Sequence, residues 1–363
     1  MTLETFKKLP LGGTDRRALV SSLAQHGLST AESLLAEQRK ALVPQGTKIA
    51  KDVAVVILGG SNGITRALAV QLLFAERASV VCVHLDSEKM QIGHFHAQAI
   101  TRAAEAEGLY CRFFNEDATK PATIEMVVNE LKGKFRAVHF VNGVAAGATK
   151  RYVEHGPTQV KDVDVAFHPV LQTPDFSKPE NIRKIGLVDV EVASDLDIER
   201  TNKFMGTSSL LWVEPLAAAG LIAKGESVVS FCDYDYPADD PVYAMGPLAG
   251  AKKLQRETMA QIHERFGAIT ARLCYPPVAT TALGAIPGGL LMYGLSAQIL
   301  IEQGKYRDVM ELGRDSMTMF QPGYAGAEVR LDAAYQACLP EFHRRKDALG
   351  PADVPGAFRA LFA

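Results

Sequence analysis

Residues 53–58 read Val-Ala-Val-Val-Ile-Leu and run straight into Gly59-Gly60-Ser61-Asn62-Gly63. Six apolar side chains without a polar break do not fit a strand with one wet face, which would alternate. They fit a strand covered on both faces, the situation of a parallel sheet flanked by helices. The alternation that follows agrees. Strand-like segments at 79–85, 109–114 and 137–141 are separated by helix-like 96–108 and 121–133, with short connections. A βαβα series of this kind predicts a Rossmann-like, doubly wound parallel sheet in the α/β class.

Around this frame, residues 1–50 are mixed polar and helical and predict an N-terminal extension of one or two surface helices. From 51 to 363 the reading is a single Rossmann-type domain interrupted at 150–196, where Pro157, Pro169, Pro174 and Pro179 and many charges mark an insertion able to carry a hairpin. A helical run resumes over 198–220, strands follow at 227–231 and 268–273, and a helix follows Tyr243. The chain closes on an apolar region (276–320) and a charged helical tail.

Composition removes several classes of function. With 39 basic and 41 acidic residues the net charge is −2, so there is no broad basic field for nucleic acid. The five cysteines, at 82, 111, 232, 274 and 338, form no CxxC pair and predict reduced thiols in a cytoplasmic protein. The N-terminus lacks a signal-peptide core. Residues 273–301 carry no charged side chain and are about long enough to span a bilayer, but Pro276, Pro277, Pro287 and four glycines break them. A buried wall is the better expectation, with no stable membrane insertion.

The turn after the first strand is the strongest chemical signal. Gly59 permits a tight turn, and Gly63 lets backbone approach a phosphate at a helix N-terminus, where unpaired N–H groups face the anion. The spacing Gly59-x-x-x-Gly63-x-Thr65 resembles the glycine turn of short-chain dehydrogenases, with threonine in place of the last glycine. Ser61, Asn62 and Ile64 belong to the same turn. Asp86, 23 residues after Gly63 at the end of the second strand, is placed to accept hydrogen bonds from ribose hydroxyls and to repel a 2′-phosphate. NADH is therefore expected over NADPH. Asp117-Ala118 after the third strand and Asn142-Gly143 after the fourth complete the cofactor candidates.

Reduction by a nicotinamide needs a group that stabilises negative charge developing on oxygen, and a cation near the ribose. None of the ten tyrosines has a lysine four or seven positions later. Two have one nine positions later: Tyr152 with Lys161, and Tyr243 with Lys252. Gly156-Pro157 interrupts the first pair. The second follows the strand at 227–231 and leads into a helix, where a doubly wound sheet carries its chemistry.

The segment around Tyr243-x8-Lys252 resembles the V-type enoyl-acyl-carrier-protein reductases, a family that includes the trans-2-enoyl-CoA reductases. The resemblance extends to the Gly59–Thr65 turn, Glu107-Gly108-Leu109-Tyr110, Asn115-Glu116-Asp117-Ala118, the stretch from Thr201 to Gly225 with Met205-Gly206 and Trp212, and Val278-Ala279-Thr280-Thr281 through Pro287. It covers roughly 50–320, and the ending FRALFA is faintly similar. It implies that Tyr243 donates to a thioester carbonyl as hydride reaches the β-carbon. It also implies that Lys252 holds the cofactor and supports the enolate, and that Thr280 lies near the nicotinamide or diphosphate. The implied substrates are thioesters of CoA or acyl carrier protein, in fatty-acid or polyketide-type synthesis, and the implied state is a monomer or small homo-oligomer.

The sequence departs from the family at Thr65 and at Gly93-His94-Phe95-His96. It also departs at Asp233, which stands where the family has a second tyrosine, with Tyr234 and Tyr236 nearby. Asp233 is carried as a candidate that adjusts the site. His94 and His96 lack a third metal ligand. Ser230, thirteen residues before Tyr243, has the serine spacing of ketone-reducing short-chain dehydrogenases. A carbonyl reductase and a non-catalytic nucleotide-binding relative are therefore the competing expectations. Lys7-Lys8 and His343–Lys346 are candidate contacts for an acidic carrier.

Overall fold

The computed structural model describes residues 16–350, apart from 48, 87–90, 145–151, 154–155, 236 and 238–239. Tyr236, Lys7-Lys8 and the FRALFA ending lie outside the described residues. The chain begins with α1 (Arg16–Lys40) and then alternates β1 (Val53–Leu58), α2 (Gly63–Phe74), β2 (Ser79–His84), α3 (Ile92–Ala106), β3 (Cys111–Asn115), α4 (Pro121–Leu131) and β4 (Ala137–Asn142). The insertion supplies β5 (Tyr152–Val153), β6 (Thr158–Val165) and β7 (Ile182–Val192). Then come α5 (Asp195–Thr201), a π-helical turn (Asn202–Gly206), α6 (Ser208–Ala218), β8 (Val228–Asp233), α7 (Pro247–Phe266) and β9 (Ile269–Cys274). α8 (Gly289–Glu302), α9 (Val309–Asp315), β10 (Ala327–Arg330) and α10 (Ala333–Ala348) complete the described chain.

The main sheet has seven strands in the order β10-β9-β8-β4-β1-β2-β3, and every recorded pairing in it is parallel. β1 shows why its sequence carries no polar break. Val55 and Ile57 pack into one core with α2, α3 and α9, while Ala54, Val56 and Leu58 pack into a second core with α4, α6 and α7. Each of the valine, isoleucine and leucine side chains contributes roughly 1.5–3 kcal/mol when fully buried. β10 was not expected from the sequence: it has four residues, at the sheet edge, and only Val329 of them is buried.

The N-terminal extension is one helix over its described part. α1 lies on α3 and buries Leu23, Ala31 and Leu35. In the insertion, β6 and β7 form an antiparallel hairpin with an irregularity at Asp164/Val165, and β5 adds to β7. The hairpin rests on α8. Asp162, buried in β6, accepts from the N–H groups of Gly288 (2.9 Å) and Leu291 (3.0 Å), and so caps the start of α8. α8 accounts for the uncharged run: twelve of its residues, Gly289–Leu300, are buried in a third core with the hairpin and α10. Among the described residues no helix is long and apolar enough to cross a membrane.

Candidate active site

One cleft of about 1000 Å³ runs along the carboxyl ends of the parallel strands. This is where an open α/β sheet presents a crevice, because the strand order reverses there and the following loops part. Its nucleotide end is lined by Gly59, Ser61, Asn62, Gly63, Ile64 and Thr65. Gly59 and Gly63 have φ of +82° and +59°, conformations that an L side chain rarely adopts. Asn62 precedes α2 without capping it through its side chain, which leaves the first N–H groups of the helix to an anion. Thr280 closes over this turn. A Cβ on Gly63 would lie 3.3 Å from the Thr280 methyl.

Thr65, the departure from glycine, is built into the turn. Its hydroxyl donates to the carbonyls of Gly59 (2.8 Å) and Asn62 (3.2 Å), and its methyl lies against Gly143. Ser61 is fixed from behind by His96, whose Nδ1 donates to its carbonyl (3.1 Å). Burial and the nearby Arg66 push His96 down to about 3, so it stays neutral. His94 instead contacts Gln98.

Asp86 lines the cleft at the end of β2, clamped on its main chain by the Asn115 side chain (2.8 and 2.9 Å). His84 Nδ1 donates to Asp86 Oδ2 (2.8 Å), and the His84 ring packs edge-on to Phe113. Gly93 leaves the room this arrangement needs. A Cβ there would fall 2.3 Å from both Asp86 Oδ2 and Asn62 Nδ2. Asp117 and Ala118 also line the cleft. Asp117 Oδ1 accepts from Thr119, and the Ala118 carbonyl accepts from Trp212 Nε1 (2.8 Å), which ties the turn to α6. Gly143 lines the cleft, but Asn142 does not. Its amide donates to Ser208 and Ser209 and its oxygen accepts from Val144, so it shapes the turn from beneath.

The other end of the cleft is apolar: Phe204, Met205, Tyr243, Leu248, Leu283 and Ile286, with Cys232, Tyr234 and Val278 between the two ends. Tyr243 is held by its backbone N–H on Asp240 (2.8 Å). Lys252, in the first turns of α7, stands behind the cleft wall and not in it. Its ammonium donates to the Cys232 carbonyl and to Gln255 (3.0 Å), 5.5 Å from the centre of the Tyr234 ring. Burial lowers its pKa, and Asp233 opposes that shift.

Asp233 is a correction to the sequence reading. It is fully buried and does not face the cleft. Oδ2 takes Arg272 Nε (2.6 Å) and Arg256 Nε (2.9 Å), and Oδ1 takes the N–H of Tyr234. A carboxylate bridging two guanidinium groups anchors the end of β8 and has no oxygen directed at substrate. The next residue, Tyr234, is the one that lines the cleft, since successive strand residues point to opposite faces. Sequence reasoning also passed over His84, Arg200 and Phe204. Only His84, two residues before Asp86, carried a local signal. Ser230 is buried within β8 with its hydroxyl on the Phe140 carbonyl (3.4 Å), away from the cleft. Of the tail candidates, Arg344 and Arg345 are paired with Glu341, and Arg345 also with Glu302. Lys161 donates to the carbonyls of Lys346 and Leu349. All five cysteines are free and buried.

A glycine turn, a carboxylate at the end of β2 and a tyrosine line one crevice of a Rossmann-like, doubly wound α/β domain. In fold the chain is similar to a short-chain dehydrogenase/reductase of Serratia marcescens (TM-score 0.51, 14% identity, covering 77% of this chain and 96% of that one). It is more similar to a trans-2-enoyl-CoA reductase of Clostridium acetobutulicum solved with NADH (TM-score 0.71, 18% identity, covering 94% and 86%). The profile of the family described as the trans-2-enoyl-CoA reductase catalytic region matches residues 89–318. An NADH enoyl-[acyl-carrier-protein] reductase of Pseudomonas putida (strain W619) is 26% identical over 324 residues, 85% of this chain and 77% of that protein. The chain belongs to the trans-2-enoyl-CoA reductase family.

Proposed function

We propose that the protein reduces the 2,3 double bond of an enoyl thioester with NADH, in fatty-acid synthesis. The relatives in this family carry that activity in their names, as NADH enoyl-[acyl-carrier-protein] reductases and trans-2-enoyl-CoA reductases. The observation that carries the reading here is the continuity of one cleft from the Gly59–Gly63 turn to Tyr243 and its apolar neighbours. The turn, the uncapped start of α2 and Asp86 fit a dinucleotide without a 2′-phosphate. When bound, NADH supplies the hydride.

The protein's own residues then have distinct tasks. Tyr243 donates a hydrogen bond to the thioester oxygen and stabilises the enolate charge. Tyr234, braced by the Asp233–Arg272 pair and backed by the Lys252 ammonium, supplies a second phenol beside the reacting carbons. Lys252 acts through the wall at Cys232 and Tyr234, where its charge favours an anion on the cleft side. Phe204, Met205, Leu248, Leu283 and Ile286 exclude water from the acyl chain, which strengthens those electrostatic contacts. The acyl carrier is CoA or acyl carrier protein. The burial of Ser230 in the sheet argues against a ketone reductase built on that serine.

The test is NADH oxidation in the presence of crotonyl and longer enoyl thioesters. Tyr243→Phe should lower kcat about 10²-fold or more while NADH binding survives. Near-normal turnover by that variant excludes the mechanism, and consumption of NADH with a ketone but no enoyl thioester replaces it by carbonyl reduction.

A further inference from the structure

The charges lining the cleft are unevenly placed. Asp86, Glu116 and Asp117 stand at the nucleotide end, and Asp197 and Arg200 stand at the rim of the apolar end, on α5. Among the described residues Arg200 is the one lysine or arginine that lines the cleft. The acid one turn before it feels the Arg200 charge but makes its hydrogen bonds to Ser194. Asp197 Oδ2 accepts from the hydroxyl (2.6 Å) and the N–H (3.1 Å) of Ser194, in a capping box at the start of α5. No hydrogen bond or ion pair joins the exposed Arg200 side chain to a described residue. A guanidinium at the mouth of an acyl cleft, with five N–H donors and no acceptor, is suited to an oxyanion with several oxygens, above all a phosphate.

The cofactor's diphosphate is an unsuitable occupant. The uncapped N–H groups at the head of α2 suit it, whereas α5 packs against α7 and the π-helical turn, on the acyl side. Arg200 is also one turn from Phe204, part of the apolar lining, and Lys203 is exposed three residues on. We infer that Arg200 binds the phosphate of the phosphopantetheine arm, the anion common to CoA thioesters and carrier-protein thioesters, as the thioester end enters between Phe204 and Tyr243. The inference rests on the enoyl-thioester reading and deepens it. The arm's phosphate would stay at the rim while the acyl group lies in the apolar end, so the residue recognises the phosphopantetheine arm shared by both carriers and not the chain length.

The experiment compares crotonyl-CoA with crotonyl-N-acetylcysteamine, which has the thioester but no phosphate. Crotonyl-pantetheine and crotonyl-phosphopantetheine isolate the phosphate itself, and a crotonyl carrier protein supplies the second source. Arg200→Gln should lower the preference for phosphate-bearing over phosphate-free thioesters, as a ratio of kcat/KM, by about tenfold or more, through KM. Arg200→Lys should recover part of it, as a charge without the fork. An equal loss on both kinds of thioester, or a loss expressed in KM for NADH, overturns the assignment. A loss with crotonyl-CoA alone, and none with the carrier protein, shows CoA as the source, and the reverse shows the carrier. Wild-type turnover of crotonyl-N-acetylcysteamine tests the underlying reading by itself. If that reading fails, calorimetric binding of CoA that is equally strong in wild type and Arg200→Gln removes the phosphate site as well.

Discussion

Gly143 and Thr65 offer a steric test of the nucleotide end. A methyl group on Gly143 would sit 2.2 Å from the Thr65 methyl carbon and 3.1 Å from the Leu58 carbonyl oxygen. Carbon atoms rest at about 3.5–4.0 Å, so the two groups must part by about 1.5 Å. Thr65 cannot swing aside cheaply. Its hydroxyl holds the Gly59 and Asn62 carbonyls, and a change of χ1 breaks both bonds. Gly143→Ala should therefore cost about 1–3 kcal/mol of overpacking, expressed in the phosphate turn itself. In NADH titrations followed by calorimetry, that corresponds to a Kd raised by roughly 10–100-fold. Serine at 65 removes the methyl and keeps the hydroxyl, so the double variant Gly143→Ala, Thr65→Ser should bind NADH more tightly than Gly143→Ala alone. Native affinity in the single variant, or no recovery in the double, would refute the reasoning.

Other consequences follow from the same contacts. Asp86→Asn should raise KM for NADH by about tenfold, since charge-assisted bonds are worth roughly 1.5–3 kcal/mol, and should narrow the preference over NADPH. His84→Leu should shift the same ratio less, and His84→Asn should restore it. Kinetics with both cofactors decide this, and an unchanged ratio in Asp86→Asn rejects the ribose contact. Asp162→Ala orphans the N–H groups of Gly288 and Leu291 at the start of a buried helix, a loss of about 2–4 kcal/mol. A urea midpoint equal to wild type would contradict that. His139, buried in β4, accepts the Val228 N–H on Nδ1, and burial pushes it down to about 4. Below its ordinary value of 6.5 the unfolded chain takes up the proton first, so this contribution is complete above pH 6.5. It is lost as pH falls towards 4, at about 1.4 kcal/mol per unit. Urea unfolding at pH 7 and pH 5 should show the decline, and His139→Gln should flatten it.

The order of strands along most of the chain, the glycine turn before α2 and the carboxylate ending β2 were legible in the sequence because each is a local property. Six apolar residues can satisfy only a strand with two dry faces, and a glycine turn between strand and helix states its own backbone geometry. Tyr243 was legible by spacing and resemblance, which need no coordinates. What lay outside such reasoning depended on partners distant in the chain. The role of Asp233 was decided by Arg256 and Arg272, 23 and 39 residues further on, which convert a candidate site residue into a buried anchor. The position of Lys252 behind the wall follows from the Cys232 carbonyl and Gln255. The apolar run at 289–300 is ambiguous by composition alone. Its assignment to the interior came from a hairpin more than a hundred residues earlier, whose Asp162 caps the helix. Local chemistry determines which groups this chain possesses, and long-range packing decides which of them meet the cleft, because burial and pairing are properties of several segments at once.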